Sequence, residues 1–144
     1  MTGTNGNEMT NDDIELMIKR HEGFKDRVYR DSLGNLTGGW GHYFEEESRI
    51  PESAAQILFN LDFAQARLDY EKLHLDIDPV RRAVMIDMLF NIGLPKLLGF
   101  KRMFKAVKAK DYTRAADEML DSKWAGQVKT RAVRLARMMK TGEA

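Results

Sequence analysis

Residues 22–42, EGFKDRVYRDSLGNLTGGWGH, decide how this chain folds. Glu22 closes a stretch with helical spacing, and Gly23 is the natural residue to end a helix in a left-handed turn. Val28-Tyr29-Arg30 and Leu36-Thr37 are short strand-like runs around Asp31-Ser32-Leu33-Gly34-Asn35, which reads as a turn. Gly38, Gly39 and Gly41 then crowd a segment that cannot be helix. The stretch predicts a small β-hairpin or ribbon entered from a helix, with Glu22 at a rim rather than mid-face.

Toward the N-terminus, Ile14, Met17, Ile18 and His21 share one helical face, and either Asn11 or Thr10 is expected to cap the helix. Asp12 and Asp13 suit its first turn. Residues 1–10 read as a disordered tail without the basic and apolar blocks of a signal peptide. Toward the C-terminus, Glu45-Glu46-Glu47 reads as a solvated loop, and everything after Pro51 reads as helix. A long helix is expected over Glu52–Leu73, with Ile57, Leu61, Ala64 and Leu68 as its apolar stripe. Asp78-Pro79 is a cap and first-position pair for a helix carrying Val80, Ala83, Val84 and Met88 toward a core. Gly93, Pro95 and Gly99 punctuate short pieces, Asp111 caps another helix, and Lys129–Lys140 forms a last one stopped by Gly142.

The expected class is α+β, mainly α: an N-terminal helix, a small β-hairpin lobe and a larger helical lobe. The boundaries are a single domain over residues 11–144, with the β-lobe about 24–47 and the helical lobe about 51–142 together with the N-terminal helix. A cleft between two such lobes is the default place for chemistry.

Composition narrows the function. The chain has 144 residues and no cysteine, which excludes disulfides, cysteine nucleophiles and cysteine-based zinc sites. No stretch approaches the ~18 apolar residues of a membrane span, so no stable membrane insertion is expected. The net charge of +1 hides an asymmetry: residues 1–100 hold 11 Lys/Arg against 17 Asp/Glu, and residues 101–144 hold 12 against 5. A basic C-terminal part fits either attraction to an anionic envelope or ordinary solvation of helix faces.

Two carboxylates stand out by placement. Glu22 ends a helix and Asp31 opens the hairpin turn, so the intervening strand would bring both to the mouth of a cleft. Glycoside hydrolysis needs such a pair, one carboxyl group protonated to serve the leaving oxygen and one ionised to activate water or attack carbon. Burial against Met17 and Ile18 would raise the pKa of Glu22, whereas a polar turn would keep Asp31 charged. Thr37, on the returning strand, would place a hydroxyl to hold a water. From spacing alone the signal is weak, since most Glu/Asp pairs at this separation are surface charges.

The set Glu22, Asp31 and Thr37, followed by Gly39-Trp40-Gly41-His42, resembles the active-site signature of the T-even-phage type lysozymes, glycoside hydrolase family 24. Val80-Arg81-Arg82-Ala83, Leu89-Phe90-Asn91-Ile92-Gly93 and Gly99-Phe100 resemble that family's central buried helix and the bend after it. Ser122-Lys123-Trp124, Arg131-Ala132, Arg134 and Thr141-Gly142 match its C-terminal helices in order, so the likeness covers roughly residues 11–142. It implies a lysozyme-like fold and a muramidase that cuts the β-1,4 bond between N-acetylmuramic acid and N-acetylglucosamine, lysing bacteria. It makes Glu22 the general acid, Asp31 the second carboxylate and Thr37 the residue that positions water. His42 falls at a structural histidine near the site, and Asn91 and Arg131 at cleft-lining positions that touch sugar or peptide. No metal and no cofactor is expected. The implied partner is bacterial peptidoglycan, met by a monomer that accumulates in the host cytoplasm and is released to the periplasm and cell wall. Two departures stand out: Gly38 replaces the usual β-branched residue, implying a more flexible backbone beside Thr37, and the segment between His42 and Pro51 is short.

Other readings have less behind them. His21, His42 and His74 lack any zinc-ligand spacing. The last helix, with Lys129, Arg131, Arg134, Arg137 and Lys140, has no recognition-helix context or interleaved aromatics, so no nucleic acid partner is expected. Met85, Met88, Met103 and Phe104 read as core filler, and Trp124 as a staple between helices. A lytic transglycosylase on the same bond, or a non-catalytic wall-binding module on the same fold, remain the alternatives.

Overall fold

The computed structural model describes residues 9–44 and 49–144, and the chain divides at Ile50/Pro51 into two compact units. The acidic run at 45–47 and most of the expected N-terminal tail lie outside the described residues. The class is the expected one, mainly helical with one small antiparallel sheet.

The first unit begins with α1 (Asn11–Glu22). Thr10 caps it: its hydroxyl accepts from the Asp13 backbone N–H at 3.1 Å, while the Asp13 carboxylate accepts from the Thr10 N–H at 3.0 Å. Gly23 ends the helix at φ 67°, ψ 150°, a positive φ but with extended ψ rather than the expected left-handed helical turn. Three strands follow, β1 (Lys25–Arg30), β2 (Leu36–Gly39) and β3 (His42–Phe44), ordered β1-β2-β3. Tyr29 pairs with Thr37 and Gly38 with His42, and the β1–β2 register shifts between Lys25 and Tyr29. The hairpin was expected; its third strand was not. Helix α1, expected with the helical lobe, clusters with the sheet, because Lys19 and Glu22 on its last turn meet Trp40 and Gly41.

The second unit holds α2 (Glu52–Glu71), α3 (Pro79–Ile92), α4 (Leu94–Leu97), α5 (Lys101–Lys108), α6 (Tyr112–Leu120), α7 (Lys123–Val128) and α8 (Thr130–Thr141). Asp78, Asp111 and Ser122 cap α3, α6 and α7 by accepting from backbone N–H groups. Gly142 ends α8 in a left-handed conformation. Val84, Met85, Met88, Leu97, Met103, Met119 and Met139 are fully buried, a core in which unbranched methionines fill the irregular gaps between short helices. The stripe expected on α2 is corrected. Ile57, Leu61 and Leu68 are each more than 60% exposed, and the buried residues of this helix are Ala66 and Tyr70. On α3, Val84 and Met88 point into the core as expected, but Ala83 is exposed and Met85, Ile86 and Leu89 are buried with them.

Arg81 ties the start of α3 to the end of α8. Its Nε donates to the Met139 carbonyl at 2.6 Å and Nη2 to the Lys140 carbonyl at 3.1 Å, while Nη1 pairs with Asp78 at 2.9 Å. The guanidinium lies 3.6 Å above the Tyr112 ring centroid. One side chain thus satisfies the open carbonyls at the end of α8 and fixes the start of α3. Among the described residues, no helix is long and apolar enough to cross a membrane.

Candidate active site

The turn after β1 is built around the Asp31 carboxylate. Oδ1 accepts from the Leu33 backbone N–H at 2.9 Å and from the Asn35 N–H at 2.8 Å. The Asp31 backbone closes the same loop, donating to the Asn35 carbonyl at 2.8 Å and accepting from the Gly34 N–H at 3.0 Å. Gly34 supplies the positive φ of 84° that the turn requires, and Arg30 donates to its carbonyl at 2.9 Å. One carboxylate oxygen is thereby committed to the backbone, leaving Oδ2 for other partners.

Thr37, inside β2, is the one buried polar residue among the described residues, 7% exposed. Its hydroxyl lies 3.5 Å from Asp31 Oδ2 and 3.3 Å from the Asn35 carbonyl oxygen. Both separations exceed that of a strong O–H···O bond, so one proton is shared loosely between two acceptors. The backbone N–H bond from Asn35 does most to hold the Asp31 carboxyl below the usual aspartate range; partial desolvation pulls the other way, and the Leu33 N–H adds to the lowering. Asp31 therefore stays ionised, as its polar turn led one to expect.

Glu22 sits at the end of α1, where β2 turns into β3. Gly41, at φ 75°, lies directly beneath its side chain: a Cβ at position 41 would collide with the carboxylate oxygen and come within 2.7 Å of Cδ. The burial expected around Glu22 is absent within this unit. Glu22 is exposed, Met17 is 41% and Ile18 48% exposed, and α1 buries none of its residues. The helix reaches its position through the turn at its end, not through its apolar face.

His42 opens β3, paired with Gly38, its ring edge-on to Phe44 at 4.6 Å. Gly38 is buried and pairs with His42 in β3, while on its β1 side it falls at the register shift between Lys25 and Tyr29. Asn91 and Arg131 belong to the helical unit. The Asn91 side-chain oxygen accepts from the Trp124 indole N–H at 2.8 Å, which fixes the amide with its NH₂ group turned away from Trp124. This bond makes Trp124 the staple expected of it, 5% exposed and edge-on to Phe100. Arg131 pairs with Asp87 at 2.7 Å and borders an apolar concavity lined by Phe59, Phe63, Ile86 and Phe90. Residue-by-residue reading missed Gly41 and Trp40 as parts of the Glu22 environment; the signal was the glycine crowding itself, since a positive-φ glycine often marks a close approach.

The chain matches the family model for phage lysozyme over residues 19–138. It is 27% identical to "Probable T4-type lysozyme 1" of Dictyostelium discoideum, over 90% of this chain and 94% of that protein. A second Dictyostelium discoideum protein, "Probable T4-type lysozyme 2", is 26% identical with the same coverage. The "Pre-baseplate central spike protein Gp5" of Enterobacteria phage T4 is 28% identical over 88% of this chain, which spans 27% of that longer protein.

Proposed function

Because this chain belongs to the phage lysozyme family of cell-wall hydrolases, we propose that it is a muramidase, hydrolysing the β-1,4 bond between N-acetylmuramic acid and N-acetylglucosamine in bacterial peptidoglycan. The observation that carries this reading is the order of groups along β2. Asp31 is fixed at the turn before the strand, Thr37 lies within it, and Gly41, against which Glu22 rests, lies at the turn after it.

In this reading Glu22 gives its proton to the bridging oxygen as the bond to the anomeric carbon breaks. The ionised Asp31 takes a proton from a water that Thr37 orients, and that water adds to the anomeric carbon. A water held by Thr37 beside an ionised Asp31 favours direct, inverting attack by water over a displacement through a covalent intermediate. Asn91 and Arg131 are proposed to contact sugar or peptide, and His42 to be structural.

The test is Glu22→Gln in a turbidity assay on permeabilised Gram-negative cells. Acid catalysis is worth ~10²–10⁴-fold, so lysis should fall at least a hundredfold while circular dichroism and Tm stay at the parent values. A Glu22→Gln protein that lyses at close to the parent rate would remove the basis of the assignment.

A further inference from the structure

Trp40 is gripped from both sides of Glu22. The Lys19 ammonium, one helical turn before Glu22, lies 4.4 Å from the indole centroid. The Phe24 ring, two residues after Glu22, lies 4.7 Å from it at an interplanar angle of 54°. Both are favourable arrangements, a cation over the indole face and a tilted aromatic pair. Lys19 is itself steadied by Glu15, 3.5 Å away. The residue after Trp40 is Gly41, the floor on which the Glu22 side chain rests.

We propose that Trp40 is a positioning residue for Glu22: its stack with Lys19 and Phe24 clamps the β2–β3 turn to the end of α1 and so holds Gly41 under the carboxyl group. A glutamate has three rotatable bonds and, at an exposed helix end, few neighbours to choose among its rotamers. Without the clamp, the turn and the helix end share no anchoring contact of this kind, and the carboxyl group samples several directions. With it, Gly41 blocks one side and the remaining directions are few. Catalysis by a proton donor depends on such placement, since a displacement of ~1 Å can cost ~10²-fold in rate. The proposal rests on the reading of Glu22 as the acid.

The half-exposed indole could instead serve as a platform for a sugar ring, and steady-state kinetics on soluble peptidoglycan fragments separate the two roles. Trp40→Ala should lower kcat by at least ~10-fold with KM little changed, and Trp40→Phe, which keeps a ring for Phe24 and Lys19, should recover most of that loss. Nuclear Overhauser contacts between the Glu22 γ-protons and the Gly41 α-protons should be present in the parent and in Trp40→Phe, and weakened in Trp40→Ala. Should the alanine variant not fold, Lys19→Met serves in its place, with the same direction of change and a smaller loss. A raised KM at unchanged kcat, or unchanged kcat with the contacts intact, would overturn the proposal. If Glu22→Gln kept its activity, the acid assignment would fall, while the Overhauser contacts would still decide whether Trp40 holds that side chain.

Discussion

Thr37 and Asp31 face each other across the first hairpin turn, the threonine Oγ1 3.5 Å from the aspartate Oδ2. The distance is too long for a strong bond and short enough for both oxygens to reach one water. The aspartate cannot close the gap, because Oδ1 is held by two backbone N–H groups. The threonine cannot either, because its backbone is paired on both edges of β2.

Thr37→Ser should therefore keep most of the activity, since the hydroxyl survives, whereas Thr37→Val should lower kcat by up to ~10²-fold, the scale of a lost positioning contact. Valine also leaves the Asn35 carbonyl without its side-chain donor, so a stability loss of about 1 kcal/mol is expected. Steady-state kinetics and urea unfolding of the two variants check this, and a valine variant at full speed would exclude a role for the hydroxyl.

The lowered pKa of Asp31 makes a pH prediction whose sign is fixed. Its carboxyl is more acidic folded than unfolded, so its contribution to stability is complete above the unfolded value and is lost as pH falls through the folded one. The turn should hold through mildly acidic conditions and loosen only in strong acid. Carboxyl carbon shifts followed by NMR should give Asp31 a midpoint below that of a free aspartate. In Asp31→Asn, the Leu33 and Asn35 amides should exchange faster, and their exchange should lose its acid-dependent step.

Arg81 should matter to stability far more than an exposed ion pair does. Arg81→Met removes donors from the Met139 and Lys140 carbonyls and from Asp78 at once, and lifts the cation from Tyr112. A hydrogen bond to a charged group is worth ~1.5–3 kcal/mol, so urea unfolding should show a loss of at least that size. Arg81→Lys should recover little of it, because an ammonium cannot reach two carbonyls and a carboxylate in one plane.

Much of this arrangement could be read from the chain, and the failures share a cause. Caps were legible because they are local: Asp78 with Pro79, and Asp111, need only their own neighbours, whereas Thr10 stood beside Asn11 as one of two candidates and its bond to Asp13 was not foreseen. The Asp31–Asn35 turn was legible for the same reason. The buried face of α2 was not, since Ile57, Leu58, Phe59, Leu61, Phe63 and Leu68 put apolar residues on several sides of the helix, and only packing against α3 selects Ala66 and Tyr70. Strand β3 has three residues and exists by pairing with β2, which composition cannot report. The site divides likewise. Asp31 and Thr37 follow from one hairpin, whereas the setting of Glu22 depends on Gly41, nineteen positions away on a separate turn.

The last prediction concerns the product. A transglycosylase needs one acid/base carboxyl group and lets the substrate's own hydroxyl close on the anomeric carbon, leaving anhydro-muramic ends. A hydrolase must deliver water, and Asp31 with Thr37 is a pair suited to that and unnecessary otherwise. Digestion in ¹⁸O-labelled water should therefore give ordinary reducing ends carrying the label, with anhydro ends a minor product at most. A hydroxyl placed beside Asp31 to hold water further predicts inversion, so proton NMR during the first minutes should show the α-anomer accumulating before mutarotation. Asp31→Asn should lose most of the rate, because the amide can still brace the turn through its oxygen but cannot accept a proton from water. Early accumulation of the β-anomer would place the two carboxyl groups close enough for a covalent intermediate, and anhydro ends as the main product would take the water-delivering role away from Asp31 and Thr37 altogether.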